Sequence, residues 1–137
     1  MESYLKNLAQ DQIAGHYTFA GKIKREDMHK FYSSGDVFAF PGIKESLGMV
    51  YLEAQSCLLP VIAFKNGGIP EVVMDKKTGF LLPMYACKSF SDMLVYLLKN
   101  RAAREKMGNN ARAYVKKHHD IEQNYLRFEK KIDKLYG

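Results

Sequence analysis

Pro60-Val61-Ile62-Ala63-Phe64 is a strand-length run without one polar side chain. No other stretch constrains the fold as much. A strand with one wet face alternates apolar and polar residues, whereas a strand apolar at every position is covered on both faces, as in a parallel sheet between helices. The neighbouring pattern supplies those helices. Residues 17–20 and 36–40 read as aromatic and β-branched strands, stopped by Gly21 and by Pro41-Gly42, and 79–82 reads as a further strand. Between and around them, 2–12, 27–34 and 46–57 carry apolar residues at helical spacing, and 69–74 is a short element. After 82 the pattern is helical only, over 88–99, 101–118 and 120–136. Alternating strands and helices predict an α/β domain with a Rossmann-like parallel sheet, the strand-helix part over 13–83 and a helical part over 88–137.

The chain of 137 residues is long enough for one domain with its own core. Its 47% apolar and 26% charged residues are those of a soluble globular protein. No apolar run approaches the ~20 residues of a membrane span. The start, Met-Glu-Ser-Tyr-Leu-Lys, lacks the pattern of a signal peptide, so the expected location is cytoplasmic. Cys57 and Cys87 provide neither a disulfide framework nor a metal spacing. His118 and His119 are adjacent, point about 100° apart on a helix and chelate poorly together; no metal is expected. The whole +6 excess of charge lies within 99–137. It suits peripheral contact with an anionic membrane surface, or simply two solvated lysine-rich helices. Nucleic acid is not an expected partner, because the basic stretch lacks interleaved aromatics.

Chemistry concentrates where the 36–40 strand turns into the next helix. Glu45 and Glu53 stand across the start of that helix, with Ser46, Leu47 and Gly48 between. First-turn N–H groups have no partner inside a helix and together carry roughly half a positive charge. They can hold a diphosphate unaided. Ser46 is the expected cap, and Gly48, with no side chain, leaves the backbone open to phosphates. Glu53 follows Ser46 by about two turns, which returns it to the same side ~10 Å further along. Two carboxylates so placed can take hydroxyls at either end of a sugar nucleotide, although glutamates at this spacing also occur on plain surface helices. Asn66-Gly67-Gly68 reads as a turn with positive φ. Neither a dinucleotide fingerprint nor a P-loop is present.

The run from Phe19 to Pro83 resembles the C-terminal lobe of the retaining family-4 glycosyltransferases, enzymes of the two-lobed GT-B fold. The matching pieces are Phe19-x-Gly21, Phe31-Tyr32, Asp36-Val-Phe-Ala-Phe-Pro41, Glu45-Ser-Leu-Gly-x4-Glu53-Ala54, Pro60-Val-Ile-Ala63, Gly67-Gly68-x-Pro70-Glu71 and Thr78-Gly79-Phe80. The helices from 88 onward are similar in length and order. The resemblance implies half of a GT-B C-terminal lobe that binds a nucleoside-diphosphate sugar. Glu45 would hold the donor sugar, the backbone at Leu47, Gly48 and Met49 the diphosphate, and Glu53 the ribose, with Lys22 and Ile23 against the base. The family needs no metal or other cofactor.

The resemblance also implies departures. The family's diphosphate-neutralising Arg and Lys, its acceptor lobe and its first two sheet strands would all lie upstream of Met1, so the expectation is a truncated chain, inactive alone or acting with a partner chain. A non-catalytic nucleotide-sugar-binding or interaction module is the alternative. With the sheet centre absent, the 17–20 and 36–40 strands must pair directly, leave an edge open, or borrow strands in a dimer. Gly42 stands where the family usually has Ser. Leu58 stands where a helix-ending glycine is usual, which predicts a different helix end here, because leucine in the left-handed region costs about 1–2 kcal/mol.

Overall fold

The computed structural model describes residues 2–44, 46 and 48–136. Along the chain run α1 (Glu2–Ile13), a tight turn at Arg25–Asp27, α2 (Met28–Ser33), β1 (Phe38–Phe40), α3 (Met49–Ser56), β2 (Val61–Phe64) and α4 (Ile69–Val72). There follow β3 (Gly79–Leu82), α5 (Cys87–Lys99), α6 (Arg101–His118) and α7 (Ile121–Tyr136). The three strands form one parallel sheet in the order β1-β2-β3, with Phe38 opposite Val61 and Val61 opposite Gly79.

The all-apolar run is the central strand, buried at every position. Val61 and Ala63 face one layer, where they pack with Tyr51 of α3 and with Ile69, Val72 and Val73 of α4 and its end. Ile62 faces the other, against Leu97 of α5 and Met107 of α6. Each valine, leucine, isoleucine or methionine so buried contributes about 1.5–3 kcal/mol. Arg104 of α6 ties the second layer to the strands. Its guanidinium lies 3.1 Å from Asp36, just before β1, and donates to the carbonyls of Leu97 and Leu98 at the end of α5.

Residues 17–20 do not form the expected strand. Backbone there is irregular, Tyr17 donates to Gln10 of α1, and Phe19 packs edge-on against Tyr17 while 45% exposed. A strand exists only through a paired neighbour, and among the described residues nothing lies beyond β1 to pair with it. The two segments therefore do not pair directly, and within the single chain the outer edge of β1 is open.

The end of α3 overturns a second expectation. Leu58 does adopt the left-handed region, at φ 66°. Its N–H bonds to the Gln55 carbonyl and the Leu59 N–H to that of Ala54. These are the two bonds of a Schellman end, a motif that ordinarily takes glycine. Leu59 and Ala54 share a buried cluster with Tyr32, the apolar contact that accompanies the motif. The cap is set by tertiary packing against the leucine's own preference. Leu58→Gly should therefore raise stability by about 0.5–1 kcal/mol, the strain relieved less the added freedom of the unfolded chain. A lower urea midpoint for that variant would contradict the strain.

Helix α7 leaves Ile121, Tyr125 and Phe128 more than 60% exposed on one stripe. Helical spacing sets Glu122, Glu129 and Asp133 along one border of that stripe and Arg127, Lys131 and Lys134 along the other. Among the described residues no helix is long and apolar enough to cross a membrane.

Candidate functional site

The carboxyl ends of β1 and β2 open into the segments that precede α3 and α4, the position where parallel sheets hold ligands. Asn66, at the end of β2, donates its side-chain amide to the Gly42 carbonyl at 2.9 Å and to the Phe64 carbonyl at 3.1 Å. The turn after β1 is thereby tied to the neighbouring strand. Gly67 has the positive φ expected of the turn, whereas Gly68 does not.

Helix α3 starts at Met49, three residues later than the sequence pattern places it, and its cap is Gly48 rather than Ser46. Gly48 is buried at φ 65°, and no side chain caps the helix. A Cβ there would stand 2.9 Å from Val72 Cγ2 and 3.1 Å from Tyr51 Cδ2. Only glycine fits, both for its backbone angle and for the closeness of α4. The core side chains that pull this turn inward decide the cap, which is why a serine two residues earlier is passed over. As at any helix start, the N–H groups of Gly48 and Met49 have no intrahelical acceptor. Met49 is 57% exposed at that end.

Glu53 lies one turn beyond Met49, so the rise between them is about 6 Å, shorter than a helix starting at Ser46 would give. Its carboxylate Oε2 accepts a 3.2 Å bond from the Tyr32 hydroxyl of α2. Tyr32 is 6% exposed and packs edge-on against Phe38 of β1. Burial first, and the Glu53 carboxylate second, push its hydroxyl up to about 12, so it is a proton donor at any physiological pH. Beside this pair a groove of about 290 Å³ runs between α2 and α3, lined by Arg25, Met28, His29, Tyr32, Glu53, Ser56 and Cys57. That approaches the lower bound of small-ligand sites.

The structure places Met49 and Glu53 one turn apart on α3 with Gly48 as its cap, and of the three Glu53 lines the groove. Lys22, exposed, and Ile23, half-buried, precede the Arg25 turn and do not line the groove. Glu45 and Leu47 lie outside the described residues. Arg25 and Met28 line the groove and were missed in the sequence reading, although Met28 and Tyr32, four apart on a helix, share a face.

The family described as Glycosyl transferases group 1 matches residues 1–114. The chain is 38% identical to a D-inositol 3-phosphate glycosyltransferase of Mycobacteroides abscessus over 100 residues, 72% of this chain and 23% of that protein. It is also 38% identical, over 121 residues, to a GDP-mannose-dependent monoacylated alpha-(1-6)-phosphatidylinositol monomannoside mannosyltransferase of Corynebacterium glutamicum, covering 83% of this chain and 31% of that one. Among solved structures, the sucrose-phosphate synthase of Thermosynechococcus elongatus superposes with a TM-score of 0.86 at 28% identity, over 98% of this chain and 34% of that one. The chain therefore spans about a quarter to a third of the length of these proteins.

Proposed function

The chain belongs to the group 1 glycosyl transferases, and from that premise we propose that it binds a nucleoside-diphosphate sugar along α3, from the turn that follows β1 to the groove between α2 and α3, as the donor-binding part of a retaining enzyme of the family-4 kind. The observation that carries the reading is the Glu53 carboxylate, held by Tyr32 at the mouth of a groove one turn from the uncapped start of α3. The GDP-mannose dependence in the name of the corynebacterial relative suggests the ligand class, a nucleoside diphosphate bearing a sugar.

In this reading the nucleotide lies along α3. Backbone N–H groups at Leu47, Gly48 and Met49 meet the diphosphate, with the positive end of the helix behind them. Glu53 accepts the ribose hydroxyls, and the base extends toward Lys22, Ile23 and the Arg25 turn. Glu45 takes the hydroxyls of the transferred sugar. The diphosphate is held without a metal, by groups that stay in place as its charge develops on departure of the sugar.

Glu53→Ala should weaken binding of the cognate nucleoside diphosphate by about 1–3 kcal/mol, the worth of hydrogen bonds to a charged group. Binding of inorganic pyrophosphate, which has no ribose, should not change. Calorimetric titration of both ligands into both chains tests the assignment, and equal nucleotide affinities would remove Glu53 from the ribose site.

A further inference from the structure

The geometry points to Tyr32 as the positioning residue of the nucleotide site: its hydroxyl fixes one oxygen of Glu53 so that the carboxylate meets a ribose already oriented. The inference rests on the donor-binding reading above and concerns a residue that does not itself touch the ligand.

Tyr32 and Glu53 stand 21 residues apart, on different helices. The tyrosine ring has no freedom of its own. It is buried with Ala54 and Leu59, with Phe38 at 5.7 Å between ring centroids and Phe31 at 6.4 Å. Its hydroxyl is therefore a fixed point at the edge of the core. The Glu53 side chain, by contrast, is exposed and has three rotatable bonds, which sample many rotamers unless something holds the far end. The bond from Tyr32 occupies Oε2. Oε1 and the second lone pair of Oε2 remain to accept hydroxyls of a ligand in the groove. A carboxylate has about four acceptor positions, so the tyrosine can hold it without blocking a diol. Ordering the acceptor before the ligand arrives lowers the entropy lost on binding.

A purely structural tyrosine and a positioning tyrosine differ in what the hydroxyl does. Tyr32→Phe keeps the ring against Phe38 and Leu59 and removes only the oxygen, at the rim of the groove, so the fold should persist. The diphosphates of uridine, guanosine and adenosine are titrated into the unaltered chain to find the one that binds, together with its 2′,3′-dideoxy counterpart. Tyr32→Phe should then weaken the ribonucleotide by about tenfold, the loss of one hydrogen bond to a charged group. The dideoxynucleotide, lacking the hydroxyls that Glu53 would hold, should bind both chains alike. The double variant Tyr32→Phe, Glu53→Ala should bind no more weakly than Glu53→Ala alone, because the tyrosine acts only through the glutamate. Unchanged ribonucleotide affinity in Tyr32→Phe would overturn the inference and leave the donor site standing. An equal loss for both nucleotides would reduce Tyr32 to a packing residue. Failure of every nucleotide to bind the unaltered folded chain would overturn the donor reading and this inference with it.

Discussion

Replacing Gly108 by alanine should destabilise the protein by about 3 kcal/mol, the upper end for a group forced into a packed interior. Helix propensity alone argues the opposite, because glycine inside a helix is worse than alanine by about 0.5–1 kcal/mol. The decision comes from what the methyl would meet. A Cβ at Gly108 would stand 2.0 Å from the carbonyl oxygen of Leu58. That atom is backbone, and it belongs to the left-handed residue that closes α3, so it cannot rotate aside as a side chain would. Either α6 retreats from α3, opening the contacts of Met107 with Ile62 and Leu97, or the Schellman end unwinds. Urea unfolding of the two chains checks it. A stabilised alanine variant would show that α6 sits further from α3 than described.

The second large effect is expected at Gly48→Ala. At φ 65° an alanine costs about 1–2 kcal/mol through the backbone alone. Its Cβ would press on Val72 and Tyr51 in the cluster above β2. Stability should fall by about 2–3 kcal/mol in all, once the cost of displacing those side chains is added. Nucleotide affinity should fall by more than tenfold, because the displaced turn carries the N–H groups assigned to the diphosphate. Gly15→Ala is the control. It shares the positive φ, at 77°, but a Cβ there meets nothing within 4 Å, so it should carry backbone strain and leave nucleotide binding alone. A Gly48→Ala chain that kept full nucleotide affinity would disconnect the start of α3 from the diphosphate.

The parts of the fold that local pattern could reveal are those whose environment the pattern itself encodes. The all-apolar 60–64 run demanded cover on both faces and has it. The boundaries of α6 follow from Asn100, which accepts from the Ala103 N–H, and from a periodic apolar face. What stayed hidden was set by distant neighbours. Residues 17–20 have the composition of a strand, but pairing is a property of two segments, and the second is not beside them. Ser46 has the chemistry of a cap and loses to Gly48, because Val72, 24 positions later, leaves room there only for glycine. Leu58 opposes its own backbone preference under packing from α2 and α6. The spacing put Glu53 on the helix after β1 but two turns from its start, where the structure has one. The hydroxyl that holds it could not be read from spacing, since Tyr32 comes to it only through the packing of α2 on α3.

The pairing of Val61 with Gly79 has a consequence for how the sheet finds its alignment. A strand wet on one side is aligned by polarity, because slipping by one residue would put its apolar set in water. β2 is dry on both sides and gains nothing from that rule. Volume must do the selecting instead. A Cβ at Gly79 would lie 2.3 Å from the Val61 carbonyl oxygen, so the position opposite Val61 admits glycine and nothing larger. Slipping β3 by one place would bring Thr78 or Phe80 there, and either would be expelled. The alignment of the central strand with its neighbour is thus enforced by one missing methyl group, and single-residue insertions or deletions between 60 and 82 should be tolerated only in the turns outside that pair.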